Sequence, residues 1–174
     1  MTAVGDAELV TRASGGDQDA FAALLEPCRD RAWALCYRIC GNREDASDAL
    51  QDAMIAAWRG LAGFRGGSRF STWFHRIAAN AALQVVRRRR DVPHAEPPDR
   101  GTPDTFTDQV QASALLQAAL LQIRPEFRTA LVLREWGDLT YAEIAEWQGV
   151  PVQTVKSRLN RARQALALLL ADAG

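Results

Sequence analysis

A chain of 174 residues, 48% of them hydrophobic, can bury one modest core or two small ones. Its formal net charge of zero excludes an indiscriminately basic protein, although acids and arginines are segregated into blocks along it. No run is long and apolar enough to span a bilayer, and the start MTAVGDAELV lacks the regions of a secretory signal. A cytoplasmic chain with no direct membrane insertion is therefore expected.

Helical periodicity predicts an all-α fold. Asp6 is placed to cap a short helix through Arg12 that ends at Gly15-Gly16, and Asp17 or Asp19 to start the next. Phe21, Leu24, Leu25, Cys28, Ala32, Leu35, Cys36 and Ile39 then recur every three or four residues, as one buried face does. Pro27 predicts a kink or a division of this helix, and Gly41 its end. Three cysteines without a CxxC pair argue against a disulfide framework, and neither His75 nor His94 completes a metal set. Cys28, Cys36 and Cys40 read as small buried hydrophobes, and no metal or cofactor is expected.

Asn42 opens another helix, with Glu44 and Asp45 at the positive end of its dipole. Asp45, Asp48 and Asp52 form an acidic stripe beside Gln51, while Leu50, Met54, Ala57 and Leu61 make the buried one. Ile55 and Trp58 belong cleanly to neither side. Such a face can dock a basic helix of another protein, or simply be solvated.

Between Asp52 and Asp91 there is no acid, but eight arginines: Arg59, Arg65, Arg69, Arg76 and Arg87 to Arg90. Phe64, Phe70, Trp73 and Phe74 are set among them, which suggests a partner carrying phosphates and flat bases, single-stranded nucleic acid above all. A buried aromatic core on an arginine-rich helix is the competing reading. Gly60, Gly63, Gly66 and Gly67 mark a loop, and Ser71 or Thr72 can begin a helix with Arg76, Asn80 and Gln84 on its polar side. Asn80 offers both a donor and an acceptor, which suits a base edge.

From Asp91 to Asp108 four prolines and no helical period predict an acidic linker, placed at residues 92–108 between domains at 6–91 and 109–172. In the second domain, Val110, Ala114, Leu115, Ala118 and Leu121 make an amphipathic helix, and Pro125 begins another that Gly137 breaks. In LTYAEIAEWQGVPVQTVKSRLNRARQAL, Thr140 and Glu143 form a capping box, Gly149 closes a short helix, and Val150-Pro151 lead into a longer one. Val155, Leu159, Ala162 and Leu166 face inward there, leaving Gln153, Thr154, Ser157, Arg158 and Arg161 on or near the open face, flanked by Lys156 and Arg163. That is a helix-turn-helix, whose second helix enters a major groove; a hairpin serving protein contacts alone is the alternative.

EDASDALQDAMIAAW, FSTWFHRIAANAALQVVRRRR and LTYAEIAEWQGVPVQTVKSRLNRAR together resemble bacterial sigma factors of the extracytoplasmic-function group. The resemblance implies two helical domains and a non-enzymatic role, directing core RNA polymerase to promoters. It implies contacts with the beta-prime clamp helices through Asp48, Gln51, Asp52, Ile55 and Trp58, with the beta flap a second contact. It further implies capture and melting of the −10 element by Phe64, Arg65, Arg69, Phe70, Ser71, Trp73, Phe74, Arg76 and Asn80. Reading of the −35 element falls to Gln153, Thr154, Lys156, Ser157, Arg158 and Arg161, and an anti-sigma protein is implied as a regulator. A stand-alone helix-turn-helix regulator would leave the first domain without a task. A nucleic-acid enzyme would need a catalytic constellation that neither the two histidines nor the scattered carboxylates supply.

Overall fold

Eight α-helices carry residues 3–91 and 108–172, the part of the chain described by the computed structural model, with no strand among the described residues. They are α1 (Ala3–Ser14), α2 (Gln18–Cys40), α3 (Arg43–Gly60), α4 (Phe70–Asp91), α5 (Asp108–Gln122), α6 (Pro125–Trp136), α7 (Tyr141–Gln148) and α8 (Val152–Asp172). A 3-10 turn at Leu61–Gly63 follows α3.

The helix ends obey local chemistry. Asp17 caps α2 by accepting from the Ala20 N–H, and Asn42 caps α3 by accepting from the Asp45 N–H. Thr140 and Glu143 form the reciprocal capping box of α7. Gly41 and Gly149 close α2 and α7 at φ 91° and 64°, backbone values that glycine adopts without a Cβ penalty.

Three expectations shift. Asp6 lies in the first turn of α1 and does not cap it, because that helix already begins at Ala3. Pro27 sits inside one continuous α2. The carbonyl that Pro27 leaves without a donor belongs to Ala23, an exposed residue within reach of water, so no division is required. α4 starts at Phe70, ahead of Ser71 and Thr72. The predicted linker, with His94, lies outside the described residues except for Asp108, which opens α5.

Helices α2, α3 and α4 pack on one another, with α1 against α2. Small residues permit the close approach: Ala46, Ala49, Ala53 and Ala57 of α3 and Ala78, Ala79 and Ala82 of α4 are all fully buried. Cys36 and Cys40 belong to the same pattern, pointing their thiols at the α4 carbonyls of Ala78 and Ala82 at 3.6 and 3.8 Å. Leu35, Ile39, Leu61 and Phe74 fill the remainder, and burying each such side chain contributes about 1.5–3 kcal/mol. In the second unit α8 packs against α5, α6 and α7 around Leu120, Leu131, Leu133, Ile144, Val155 and Leu159. Arg128, also buried, donates through Nη1 to the carbonyls of Leu120, Leu121 and Ile123 and so closes the C-terminal end of α5.

The two units touch. α5 and α6 lie against α2, and α6 against α4. The Arg38 guanidinium covers the Trp136 ring at 4.7 Å, and Gln117 donates to the Tyr37 and Arg38 carbonyls at the end of α2. A Cβ on Gly41 would come within 2.6 Å of the Leu121 side chain, so this glycine serves the turn and the contact together.

Candidate nucleic-acid interface

On α3 the exposed residues Asp48, Gln51, Asp52 and Ile55 share a face, and Ile55 is 43% exposed, unusual for an isoleucine in a packed bundle. A shallow groove runs beside them, its far wall made by Val85, Arg88 and Arg89 of α4. Asp45 leaves the predicted acidic stripe: it is buried, accepts from Asn42 Nδ2 and pairs with Arg89 at 2.7 Å. The open stripe is thus Asp48 and Asp52, the latter 3.6 Å from Arg88. Trp58 is half-buried, with Phe21 packed edge-on against its ring at 5.1 Å.

The aromatic segment divides between core and surface. Phe70 and Phe74 are buried and stacked on each other at 6.1 Å. Phe64 and Trp73 are half-buried and lie 5.1 Å apart, and Arg65, Gly66, Gly67 and Arg69 of the adjoining loop are exposed. The structure therefore brings Phe64 and Trp73 together at one end of α4, with Arg65 and Arg69 exposed in the loop before it and Ser71 half-buried in the first turn. Two turns along, Arg76 and Asn80 face α7. Arg76 pairs with Glu146 at 3.2 Å, and the Trp147 indole N–H donates to Asn80 Oδ1.

On α8 the residues Gln153, Lys156, Ser157 and Arg161 are exposed in one stripe. Thr154 is half-buried. Arg158 is half-buried as well, donating to Gln148 Oε1 at 3.0 Å with its guanidinium over the Phe127 ring. Arg163, expected to flank the face, is held by Glu135 at 2.6 Å.

His75 is 2% exposed on the buried side of α4; its Nδ1–H donates to the Gly137 carbonyl at 3.3 Å, and its Nε2 has no partner among the described residues. Burial holds the imidazole below its ordinary value, and Arg31 acts in the same direction. Burial also pushes the Cys28 thiol up to about 11 and that of Cys36 up to about 12, which leaves them unreactive. Among the described residues no group of three or more His, Cys, Asp or Glu side chains could hold a metal ion. Nor is any described helix long and apolar enough to cross a membrane.

Residues 24–92 match the family model of Sigma-70 region 2, and residues 113–166 that of Sigma-70, region 4. The chain is 33% identical over 172 residues to the ECF RNA polymerase sigma factor SigW of Bacillus subtilis (strain 168), across 90% of this chain and 92% of that one. It belongs to the ECF RNA polymerase sigma factors. The ECF RNA polymerase sigma factor SigM of Mycobacterium tuberculosis (strain ATCC 25618 / H37Rv) is 39% identical over 165 residues, across 95% and 84% of the two chains. Two solved structures share the fold: CnrH in complex with the cytosolic domain of CnrY, at TM-score 0.73 and 23% identity over 98% of this chain and 99% of that one, and the sigma factor RpoE in complex with the anti-sigma factor NepR from Bartonella quintana, at TM-score 0.67 and 24% identity over 87% and 96%.

As a member of this family the protein directs promoter-specific initiation of transcription. Several residues of this sigma factor that bear on the interface escaped the sequence. Asn160 lies within the exposed α8 stripe, one turn past Ser157, and Gln164 extends it one turn past Arg161, a period that was available from Gln153 onward. His75 lies three residues before Ala78 and four before Ala79, a spacing that puts it on the buried side of α4. Glu146 and Trp147 carried no local signal, because only the docking of α7 on α4 gives them a task.

Proposed function

We propose that this sigma factor divides its work among three faces. The α3 face of Asp48, Gln51, Asp52 and Ile55, edged by Trp58, docks on the clamp helices of core RNA polymerase. The loop from Phe64 to Arg69 and the α4 residues Trp73, Arg76 and Asn80 hold the unpaired strand of the −10 element. Its melting is stabilised because an unstacked base exchanges its neighbours for aromatic edges and arginines. The buried Phe70 and Phe74 support that surface from beneath. The α8 stripe of Gln153, Lys156, Ser157 and Arg161, with Thr154 beside it, reads the duplex of the −35 element in its major groove.

The observation that carries this reading is the sorting of surface residues into three separate patches: acidic and apolar on α3, exposed arginines beside the half-buried Phe64 and Trp73 at the start of α4, polar and basic on α8. A protein that only bound duplex DNA would need the third alone. Neither half need bind promoter DNA tightly by itself, since polymerase holds both. The beta flap is a second polymerase contact, made by the second unit. An anti-sigma protein is a further partner, a reading supported by the presence of one in the RpoE structure.

The docking face is tested by reversing Asp48 and Asp52 to arginine together. Both carboxylates are exposed, so folding is retained. Co-purification with core polymerase should fall at least about tenfold, as like-charge juxtaposition at an interface costs several kcal/mol. Undiminished binding would remove α3 from the interface.

A further inference from the structure

We infer that the cleft bordered by α1, α2, α4 and α7 binds a small organic ammonium, whose N–H groups serve Asp6 and His75 while its apolar body lies on the wall beside them. The cleft has a volume of about 780 Å³, within the range of small-molecule sites, and takes its lining from both units. Asp6 and His75 have no part in the three faces assigned above, so the site stands apart from the promoter and polymerase assignments.

The ligand chemistry follows from the acceptors. The Gly137 carbonyl can only accept, so the proton of the neutral His75 ring sits on Nδ1 and Nε2 carries the lone pair. His75 is 2% exposed, and Nε2 has no partner among the described residues. Asp6 Oδ1 is likewise buried and without one. Both residues converge on Cys28: the Asp6 charge acts on its thiol, and His75 lies beside its backbone. Two buried acceptors left unmet are costly, and both call for a donor. Glu143 engages the Thr140 cap through Oε2 alone, so its other oxygen is a third acceptor in the lining. The cations of the cleft do not answer them. Arg31 is paired with Asp138, and Arg69 is exposed, where solvent screens its charge. A hydroxyl supplies one donor, whereas a protonated primary amine supplies three together with the charge that Asp6 and Glu143 favour. Leu24, Pro27 and Phe70 line the same cleft and offer an apolar wall to a hydrocarbon or aromatic body. Because Asp138 and Glu143 come from the second unit, the ligand touches both units, and its binding energy bears on any step that moves one against the other.

Phenethylammonium is the probe, with 2-phenylethanol as the neutral compound of the same body. The full chain has two histidines, so His94→Gln leaves His75 as its single imidazole signal in a 15N-histidine-labelled sample. Phenethylammonium should move the Nε2 resonance saturably, and 2-phenylethanol should bind about tenfold more weakly. Asp6→Asn should raise the Kd for phenethylammonium about tenfold, whereas Glu8→Gln, an exposed carboxylate of the same helix outside the cleft, should change it by less than about twofold. An Nε2 resonance that does not move, or equal binding of the amine and the alcohol, overturns the inference and leaves water as the donor to these acceptors. Equal Kd values in Asp6→Asn and Glu8→Gln overturn it as well. If the melting temperature shows Asp6→Asn to be unfolded, the comparison of amine with alcohol, made with Asp6 in place, still decides.

Discussion

Arg158 and Arg161 lie one turn apart on α8 and meet different surroundings. Arg158 is tied to Gln148 and covers Phe127, so it braces α8 against α7 and α6, whereas Arg161 is open to an approaching groove. Arg161→Ala should lower discrimination between matched and mismatched −35 sequences by about 1–3 kcal/mol, and Arg158→Ala should weaken all sequences alike while lowering the unfolding midpoint. Competition binding of the polymerase holoenzyme to a panel of −35 variants separates them, and equal loss of discrimination in both would contradict the assignment. His75 makes a different prediction. Arg31, Asp138, Asp6, Arg69, Glu143 and Cys28 surround its cleft, and burial followed by Arg31 outweighs the opposing pull of the Gly137 carbonyl and Asp138. Its folded value lies below the roughly 6.5 of an exposed imidazole, so below that pH the unfolded chain binds more protons and stability is lost as the pH is lowered; above it His75 has no effect. Between about pH 7.5 and about pH 5.5 the wild-type melting temperature should drop further than that of His75→Gln. Parallel curves would show that His75 does not titrate against the fold.

At the scale of elements, α7 shows how much local chemistry fixes. Thr140 and Glu143 satisfy two N–H groups reciprocally at one end, and Gly149 turns the chain at the other, so eight residues suffice for a helix that could not persist alone. Thr140→Ala should cost about 1 kcal/mol, read as a shift in the denaturant midpoint without a change in slope. A neutral result would mean that packing of Ile144 and Ala145 holds α7 without its cap. These same caps and periods made the helices legible: Asn42, Gly41, Pro125 and the Thr140 box each mark an end by a mechanism that acts within four residues. What stayed illegible depends on partners distant in sequence. Asp45 has the spacing of an exposed stripe, but Arg89, 44 residues away, draws it inside. Phe70 and Phe74 read as members of a base-binding cluster, and only the packing of α2 and α3 against α4 decides that they face inward. Pro27 breaks a rule of helix interiors whose cost depends on whether the freed carbonyl is exposed.

For the whole molecule, the proposed division of labour places one function on three surfaces, on α3, on the loop and start of α4, and on α8. The contacts between units join polar pairs such as Arg76 with Glu146 to apolar packing, with Leu121 against Gly41 and one hydrophobic cluster running through both units. The residues of α8 and those of α4 should then control different parts of the promoter. The most direct test is mapping of transcription start sites by matched core polymerase over a random promoter library, with the wild-type chain, Arg161→Ala, and Arg76→Ala/Asn80→Ala. The wild-type chain should select two sequence blocks upstream of its starts. Arg161→Ala should relax only the distal block, and the α4 double variant only the proximal one. Both blocks relaxing together in either variant, or neither responding, would contradict the division of labour between the two helices.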